Sequence, residues 1–337
     1  MADRTWGPTH LISRDLIERS VGLDDAFDVV EEVVRGQALG RVAMPAKVTM
    51  DLAEFGLQAW NTAMPAYVES LSASGFKWVG GFAKNRERHG LPFLISVILV
   101  QDAETGYPLA LMDGVHILNL RTAALNGLIA RLYARSDSRR LGIVGAGAQA
   151  RFAVPAIRRV RAIEEVRVND IEPAAAEAFA REVRDAHGLE VTICDDPEGA
   201  VRDADIVITA TPSTTPLVRR EWLARGVTAI SVGSQGQEFD DAFVLGADKL
   251  VCDSWEQCTH LGELRAFAES GQLTRDDVFA EIGETVAGLR PGRENDDESI
   301  LVVPIGLGSL DIALARVAYD RVAAAGGAET TFRFFAT

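Results

Sequence analysis

Leu141-Gly142-Ile143-Val144 runs directly into Gly145-x-Gly147-x-x-Ala150 and then into a stretch of helical character, the context a dinucleotide fingerprint requires. The residue types have separate jobs. Gly145 allows the tight turn, Gly147 lets the backbone approach a pyrophosphate, and Ala150 is small enough for a helix to pack on the strand. Ala146, Ala148 and Gln149 complete a turn whose unpaired N–H groups and positive helix end attract an anion. Asp170 closes the next apolar run, Val166 to Asp170, 25 positions beyond Gly145, where a carboxylate accepts hydrogen bonds from adenosine ribose hydroxyls. That carboxylate repels a 2′-phosphate and the following Ile171-Glu172 offers no arginine, so NAD(H) is expected and NADP(H) is the lesser alternative. Asp170 also reads as a helix N-cap ahead of Pro173, and the two uses are compatible.

Two further segments, Thr209-Ala210-Thr211-Pro212-Ser213 and Ile230-Ser231-Val232-Gly233-Ser234, place small residues after apolar strands, where ligands bind in open parallel sheets. They are expected to flank the nicotinamide half, although ordinary loop composition explains them nearly as well. The chain holds four lysines (Lys47, Lys77, Lys84, Lys249), and Lys77 stands among glycines and aromatics. Taken alone, Lys77 and Arg121 read as surface or helix-start charges. Trp60 and Trp78 read as core packing first and pocket walls second. The five histidines show no metal-ligand spacing and no metal is expected. Asp240-Asp241 and Asp296-Asp297 read as solvated loop or cap charges. Cys194, Cys252 and Cys258 form neither a CxxC nor an even set, which argues against a disulfide framework or structural zinc and for a reducing cytoplasm.

The elements that must position these groups follow two patterns. Apolar residues recur at helical spacing from Ser13 to Gly36, and Arg41 to Met50 and Phe93 to Gln101 look strand-like. Turn chemistry at Glu104 to Pro108 separates two halves of a hairpin, and an alanine- and leucine-rich helix follows from Thr122 to Ala134. After Ser136 short apolar runs alternate with amphipathic helices: 140–144, 149–160, 165–170, 173–187, 191–194, 206–209, 228–232 and 249–252. That alternation implies a parallel sheet covered on both faces. The pattern fades near Arg290 to Glu298, and Leu310 to Ala325 closes with a helix. The fold class is therefore α/β: a Rossmann-type, doubly wound parallel sheet domain plus an α+β domain. A length of 337 residues suits two domains, and 47% hydrophobic with 25% charged residues is ordinary globular composition. The net charge of −15 disfavours nucleic acid and anionic membranes, and no apolar stretch approaches membrane-spanning length.

Gly75-Phe76-Lys77-Trp78-Val79, Asn85, Gly90-Leu91-Pro92, Thr105-Gly106-Tyr107-Pro108, Arg121-Thr122-Ala123-Ala124, the glycine turn and Gly306-Leu307-Gly308-Ser309-Leu310-Asp311 occur in one order and spacing. In this the chain resembles the ornithine cyclodeaminase and mu-crystallin family, from about Arg41 to Asp311. The resemblance implies a homodimer in which residues 1–120 with 309–337 bind substrate and hold the dimer contact. Residues 121–308 would then be the NAD(H)-binding domain, with the active site between the two. It implies that Lys77 lies beside the substrate and that Arg121 meets the substrate carboxylate and the cofactor. Thr122, Ala148, Gln149, Asp170, Thr211 and Gly233 fall at or next to cofactor positions, flanked by Val232 and Ser234, while Lys47 and Met64 join the substrate side.

Two departures bear on the chemistry. Lys47 stands where the family commonly has an arginine, keeping the charge without the planar fork. In the loop after Gly233, where cyclodeaminases carry an aspartate, this chain reads Ser234-Gln235-Gly236-Gln237. An amide takes no proton at neutral pH, so ring-forming deamination loses its base unless Glu238 or Asp240 substitutes, and Glu238 reads better as part of the next turn. The expected function is NAD(H)-dependent oxidoreduction at the CH–NH/C=N bond of a small amino or imino acid. Ornithine cyclodeaminase and a mu-crystallin-like ligand-binding protein are the alternatives.

Overall fold

The computed structural model describes residues 7–328 and 330–334. The chain divides into two compact units, residues 1–121 with 307–337 and residues 122–306.

The first unit is built on an eight-stranded sheet. Its strands are β1 (Thr9–Ile12), β2 (Val42–Ala43), β3 (Val48–Asp51), β4 (Ala59–Val68), β5 (Ala73–Phe82), β6 (Leu94–Gln101), β7 (Pro108–Asp113) and a C-terminal strand, Thr331–Phe332. The spatial order is C-terminal strand, β1, β7, β6, β5, β4, β2, with β3 also on β4. The spine is the hairpin of β4 and β5, ten residues in each strand, paired from Ala59↔Phe82 to Val68↔Ala73. The expected β6–β7 hairpin is present and antiparallel.

Because side chains alternate across a strand, one face carries the row Met64, Lys77, Ile98 and Met112, four cross-strand neighbours that are all buried. The C-terminal helix Gly308–Ala324 packs on that face, together with α1 (Arg14–Ser20) and α2 (Leu23–Ala38). The single helical stretch expected over Ser13 to Gly36 is thus two helices. Val21-Gly22 is extended, and Asp25 accepts the Gly22 N–H at 2.9 Å to start the second. The strand-like stretch after Arg41 is likewise two short strands.

After the small helix α3 (Asn85–His89) and the β6–β7 hairpin comes α4 (Val115–Tyr133), which begins seven residues before the expected Thr122. Asp113 sets that start by accepting from the Val115 and His116 N–H groups at 3.2 and 3.1 Å.

The second unit is a wholly parallel eight-stranded sheet. Its strands are β8 (Arg140–Val144), β9 (Glu165–Asn169), β10 (Glu190–Ile193), β11 (Ile206–Thr209), β12 (Thr228–Ser231), β13 (Lys249–Cys252), β14 (Ala280–Glu281) and β15 (Ile300–Val303). The order β10-β9-β8-β11-β12-β15-β13-β14 reverses direction between β8 and β11, the switch point beside which open α/β sheets bind ligands. α5 (Ala148–Arg158) and α6 (Pro173–His187) follow β8 and β9. β15 was not expected from the sequence. It is a four-residue apolar run after a polar loop, and it sits fully buried between β12 and β13.

Candidate active site

In the first unit the chemistry gathers on one carboxylate. Lys77 Nζ donates to Asp311 Oδ2 at 2.6 Å, and Arg121 Nε donates to Asp311 Oδ1 at 3.2 Å. Lys77 and Asp311 are essentially inaccessible, and Arg121 is only 6% exposed. Asp311 reaches them from the first turn of the C-terminal helix. That helix approaches β4 closely because Gly308 has no Cβ, which would stand 3.0 Å from the Met64 Cβ.

The apolar row around Lys77 penalises its charge, so burial lowers its pKa to about 8; Asp311 opposes the fall, while the charges of Arg121 and Lys47 add to it. Half-buried Lys47 therefore belongs to the same field, at whose centre two buried cations, Lys77 and Arg121, share one buried carboxylate. Such an excess of buried positive charge is costly unless an anion joins it. Met64, the direct cross-strand neighbour of Lys77, packs with Val79 and Leu118 and with half-buried Trp60 and Leu94 into an apolar patch on the same face. Trp78 projects from the opposite face of the sheet and is 39% exposed, so it does not wall the lysine side. In the sequence Asp311 ends the Gly306-to-Asp311 motif. Its signal as a site residue is its place on a helix whose neighbours are otherwise apolar or small.

In the second unit the glycine turn has the features that a dinucleotide needs. Gly145 has φ 99°, and a Cβ there would lie 2.7 Å from the Ala210 carbonyl, so only glycine fits. Gly147 caps α5 with ordinary φ, is exposed, and would project a Cβ into open space. That open backbone, with exposed Ala148 and half-buried Gln149 in the first helical turn, leaves room for a pyrophosphate, whereas Ala146 and Ala150 are buried against the sheet.

Asp170 Oδ2 accepts from the Ala146 N–H at 2.7 Å and Oδ1 from the Glu172 N–H at 2.9 Å, fixing the carboxylate beside the turn. The N-cap of α6 is Glu172, so the capping use suggested for Asp170 is not the one adopted. Ile171, next to it, is 94% exposed. An open anion-binding turn, a fixed acid and no basic residue at 170–172 fit NAD(H).

Thr211 and Gly233 lie at the carboxyl ends of β11 and β12 and meet on Glu238. Glu238 Oε1 accepts from the Thr211 N–H and hydroxyl at 2.9 and 2.7 Å, and Oε2 from Gly233 N–H at 3.0 Å and the Thr209 hydroxyl at 2.8 Å. Val232, bonded through its N–H to the Thr209 carbonyl, and Ser234 are both half-buried. Glu238 is fully buried, and Asp240 caps α7 (Asp241–Val244) through the Phe243 N–H at 3.0 Å. Both carboxylates are thus engaged by backbone N–H and hydroxyl groups of this unit. Thr122 follows Arg121 on α4 and is buried.

Residues 9–326 match the profile of the Ornithine cyclodeaminase/mu-crystallin family. The chain is 35% identical to an alanine dehydrogenase of Archaeoglobus fulgidus over 93% of its own length and 94% of that protein's. Among solved structures it resembles the Delta(1)-pyrroline-2-carboxylate reductase of Thermococcus litoralis in complex with NADH and L-proline, with TM-score 0.91 and 32% identity over 96% of this chain and 100% of that one. It also resembles an archaeal alanine dehydrogenase dimer with bound NAD, with TM-score 0.90 and 34% identity over 98% and 100%.

Proposed function

The chain belongs to the ornithine cyclodeaminase/mu-crystallin family, and from that premise we propose that it is an NAD(H)-dependent oxidoreductase of the CH–NH/C=N bond of a small amino or imino acid, an imine reductase or amino-acid dehydrogenase. The observation that carries the reading is the buried Lys77–Asp311–Arg121 cluster, a cationic site one anion short of balance.

NAD(H), when bound, supplies or receives the hydride. Gly145, Ala146, Gly147, Ala148 and Gln149 hold its pyrophosphate and Asp170 its ribose. In the second unit Thr122, Thr211, Val232, Gly233 and Ser234 would hold its nicotinamide end. Arg121 and Lys47 receive the substrate carboxylate, each charge-assisted bond contributing about 1.5 to 3 kcal/mol. Lys77 Nζ, with a pKa of about 8, donates a proton to the substrate nitrogen side in reduction and accepts one in oxidation. Asp311 orients both cations. Met64 and its apolar neighbours suit a short aliphatic or cyclic side chain, in keeping with the named substrates of the alanine dehydrogenase and pyrroline-2-carboxylate reductase relatives.

The first unit in this reading binds substrate and pairs two subunits, and the second binds cofactor. Pairing is supported by a cross-strand apolar row facing away from the helices. Leu11, Leu111 and Phe76 are 38–39% exposed there, and half-buried Leu99 lies between the last two. The NAD-bound alanine dehydrogenase of similar structure is a dimer. No helix among the described residues is long and apolar enough to cross a membrane. With three free cysteines, two of them buried, a reducing cytoplasm is the compartment we propose. Ornithine cyclodeamination is the lesser reading, because the loop carries amides and Glu238 and Asp240 are engaged elsewhere. A ligand-binding protein without turnover has no need of a buried lysine near neutral pKa.

The deciding experiment follows NADH absorbance with 2-oxo acids plus ammonia or amines, cyclic imines and, in reverse, L-amino acids and ornithine. Reduction of an imine or oxidation of an amine is expected. Redox-neutral conversion of ornithine, or NADH binding with no turnover of any substrate, would replace the proposal with one of its alternatives.

A further inference from the structure

Two buried carboxylates in the second unit have no place in the chemistry above. Glu238 gathers Thr209, Thr211 and Gly233 and comes within 3.2 Å of the Ser231 hydroxyl. Glu263 stands behind it: its Oε2 meets the same Ser231 hydroxyl at 2.8 Å and accepts from the Glu238 N–H at 2.8 Å, while Oε1 accepts from the Phe239 N–H at 3.0 Å. Glu238 and Glu263 are 0% and 1% exposed, and among the described residues their hydrogen-bond partners are hydroxyls and backbone N–H groups; the charge of Glu238 adds to the burial that raises Glu263.

The packing leaves no slack around this arrangement. A Cβ on Gly233 would stand 2.4 Å from Glu238 Oε2 and 2.8 Å from the Thr211 carbonyl, and one on Gly145 would stand 2.9 Å from Thr211 Cγ2. The glycine turn, the Thr211 loop and the Gly233 loop therefore nest on one another around a single carboxylate.

Ser231 has one hydrogen and two carboxylates to serve. With both ionised, one would lack that bond and two like charges would share a buried site. With a proton on Glu263, the acid donates to Ser231 Oγ, Ser231 donates to Glu238 Oε2, and Glu238 keeps its charge for the loops. Burial pushes Glu263 up to about 7, so this proton is held or lost near neutrality.

We propose that Glu238 is the positioning residue for the nicotinamide end of the cofactor site, locking the Thr211 and Gly233 loops against the glycine turn, and that Glu263 governs this lock through a proton shared by way of Ser231. The inference rests on the reading of the second unit as the NAD(H) site. Loss of the Glu263 proton sets two charges against each other, loosens the loops and weakens cofactor binding as pH rises. The sign agrees with linkage: the folded state holds this proton above the ordinary carboxylate range, so folding stability from this group also falls between about 4.5 and about 7.

The test uses the full-length enzyme and the variants E238A and E263Q, with NADH titrated by fluorescence, thermal melts, and KM and kcat measured separately. E238A is expected to weaken NADH binding about tenfold while changing the KM of the imino acid far less. Wild type should lose about threefold in NADH affinity between about pH 6 and about pH 9. E263Q, a permanent mimic of the protonated acid, should stay flat over that range. A folded E238A that binds NADH like wild type overturns the proposal. So does an E263Q whose pH dependence matches wild type, and that comparison decides the matter alone if E238A does not fold. A wild-type protein with no affinity for NADH would instead sink the cofactor reading itself.

Discussion

Lys77 shares its sheet face with Met64, Ile98 and Met112, so its ammonium has given up water and has Asp311 as its closest compensation. That exchange puts its pKa near 8, inside the range where a proton moves cheaply in either direction. In kcat/KM profiles, amine oxidation should rise with pH through about 8 and imine reduction should fall through the same value. Profiles without that inflection would remove Lys77 from the chemistry. K77M should cost roughly 10² to 10⁴ in rate with NADH affinity intact, as measured by fluorescence titration. Folding follows the same group: the unfolded chain keeps this proton up to 10.5 and the folded one to about 8, so stability rises with pH between those values. Asp311 is the counterweight. D311N should drive the inflection below that of wild type, since the one charge that holds the Lys77 pKa up is then gone, and should cost about 3 to 5 kcal/mol in a urea titration. An unmoved inflection would show that Asp311 does not set the charge of Lys77.

At the scale of elements, two glycines two residues apart do different work in the β8–α5 turn. Gly145 is held by backbone strain and by the Ala210 carbonyl, whereas Gly147 is conformationally ordinary and faces open space. G147V should therefore leave the melting temperature nearly unchanged yet abolish measurable NADH binding, while G145A should lower both. If G147V bound NADH normally, the open backbone there would not be the pyrophosphate seat. The C-terminal helix has an equivalent point of closest approach. G308V should push the helix off Met64, cost about 1 to 3 kcal/mol, and raise the substrate KM through displaced Asp311. Unchanged kinetics in a destabilised G308V would limit that contact to packing. Elements differ in how plainly the sequence announces them. The β–α alternation after Ser136 is written in short apolar runs and amphipathic helices, and the parallel sheet follows from it. The β4–β5 hairpin is not, because Gly75, Gly80 and Gly81 interrupt its alternation where the Leu99 carbonyl, the Asn61 side chain and the Trp60 ring, respectively, come too close for a side chain.

For the whole molecule, the apolar row Leu11, Leu111, Leu99 and Phe76 is a large exposed stripe on a protein of net charge −15. Under the proposed pairing, a doubly charged variant, Phe76→Glu with Leu111→Glu, should shift sedimentation from dimer to monomer. Wild type sedimenting as a monomer would dismiss the pairing outright. On a chain of net charge −15, the buried cations of the first unit are where the proposed reading seats the substrate carboxylate.

Some properties of this protein were already determined by order along the chain. A glycine turn between an apolar run and a helix, an acid at the end of the next run, and a set of spaced motifs specify an α/β dinucleotide fold and its family, because each depends on neighbours within a few residues. Tertiary structure alone decided the rest. Lys77 and Asp311 are 234 positions apart and share a hydrogen bond, and Glu238 meets Thr209 and Thr211 across 29 and 27 positions. Burial and charge balance are sums over everything that surrounds a group in space, so a lysine that titrates near 8 and a glutamate that locks two loops have no local signature.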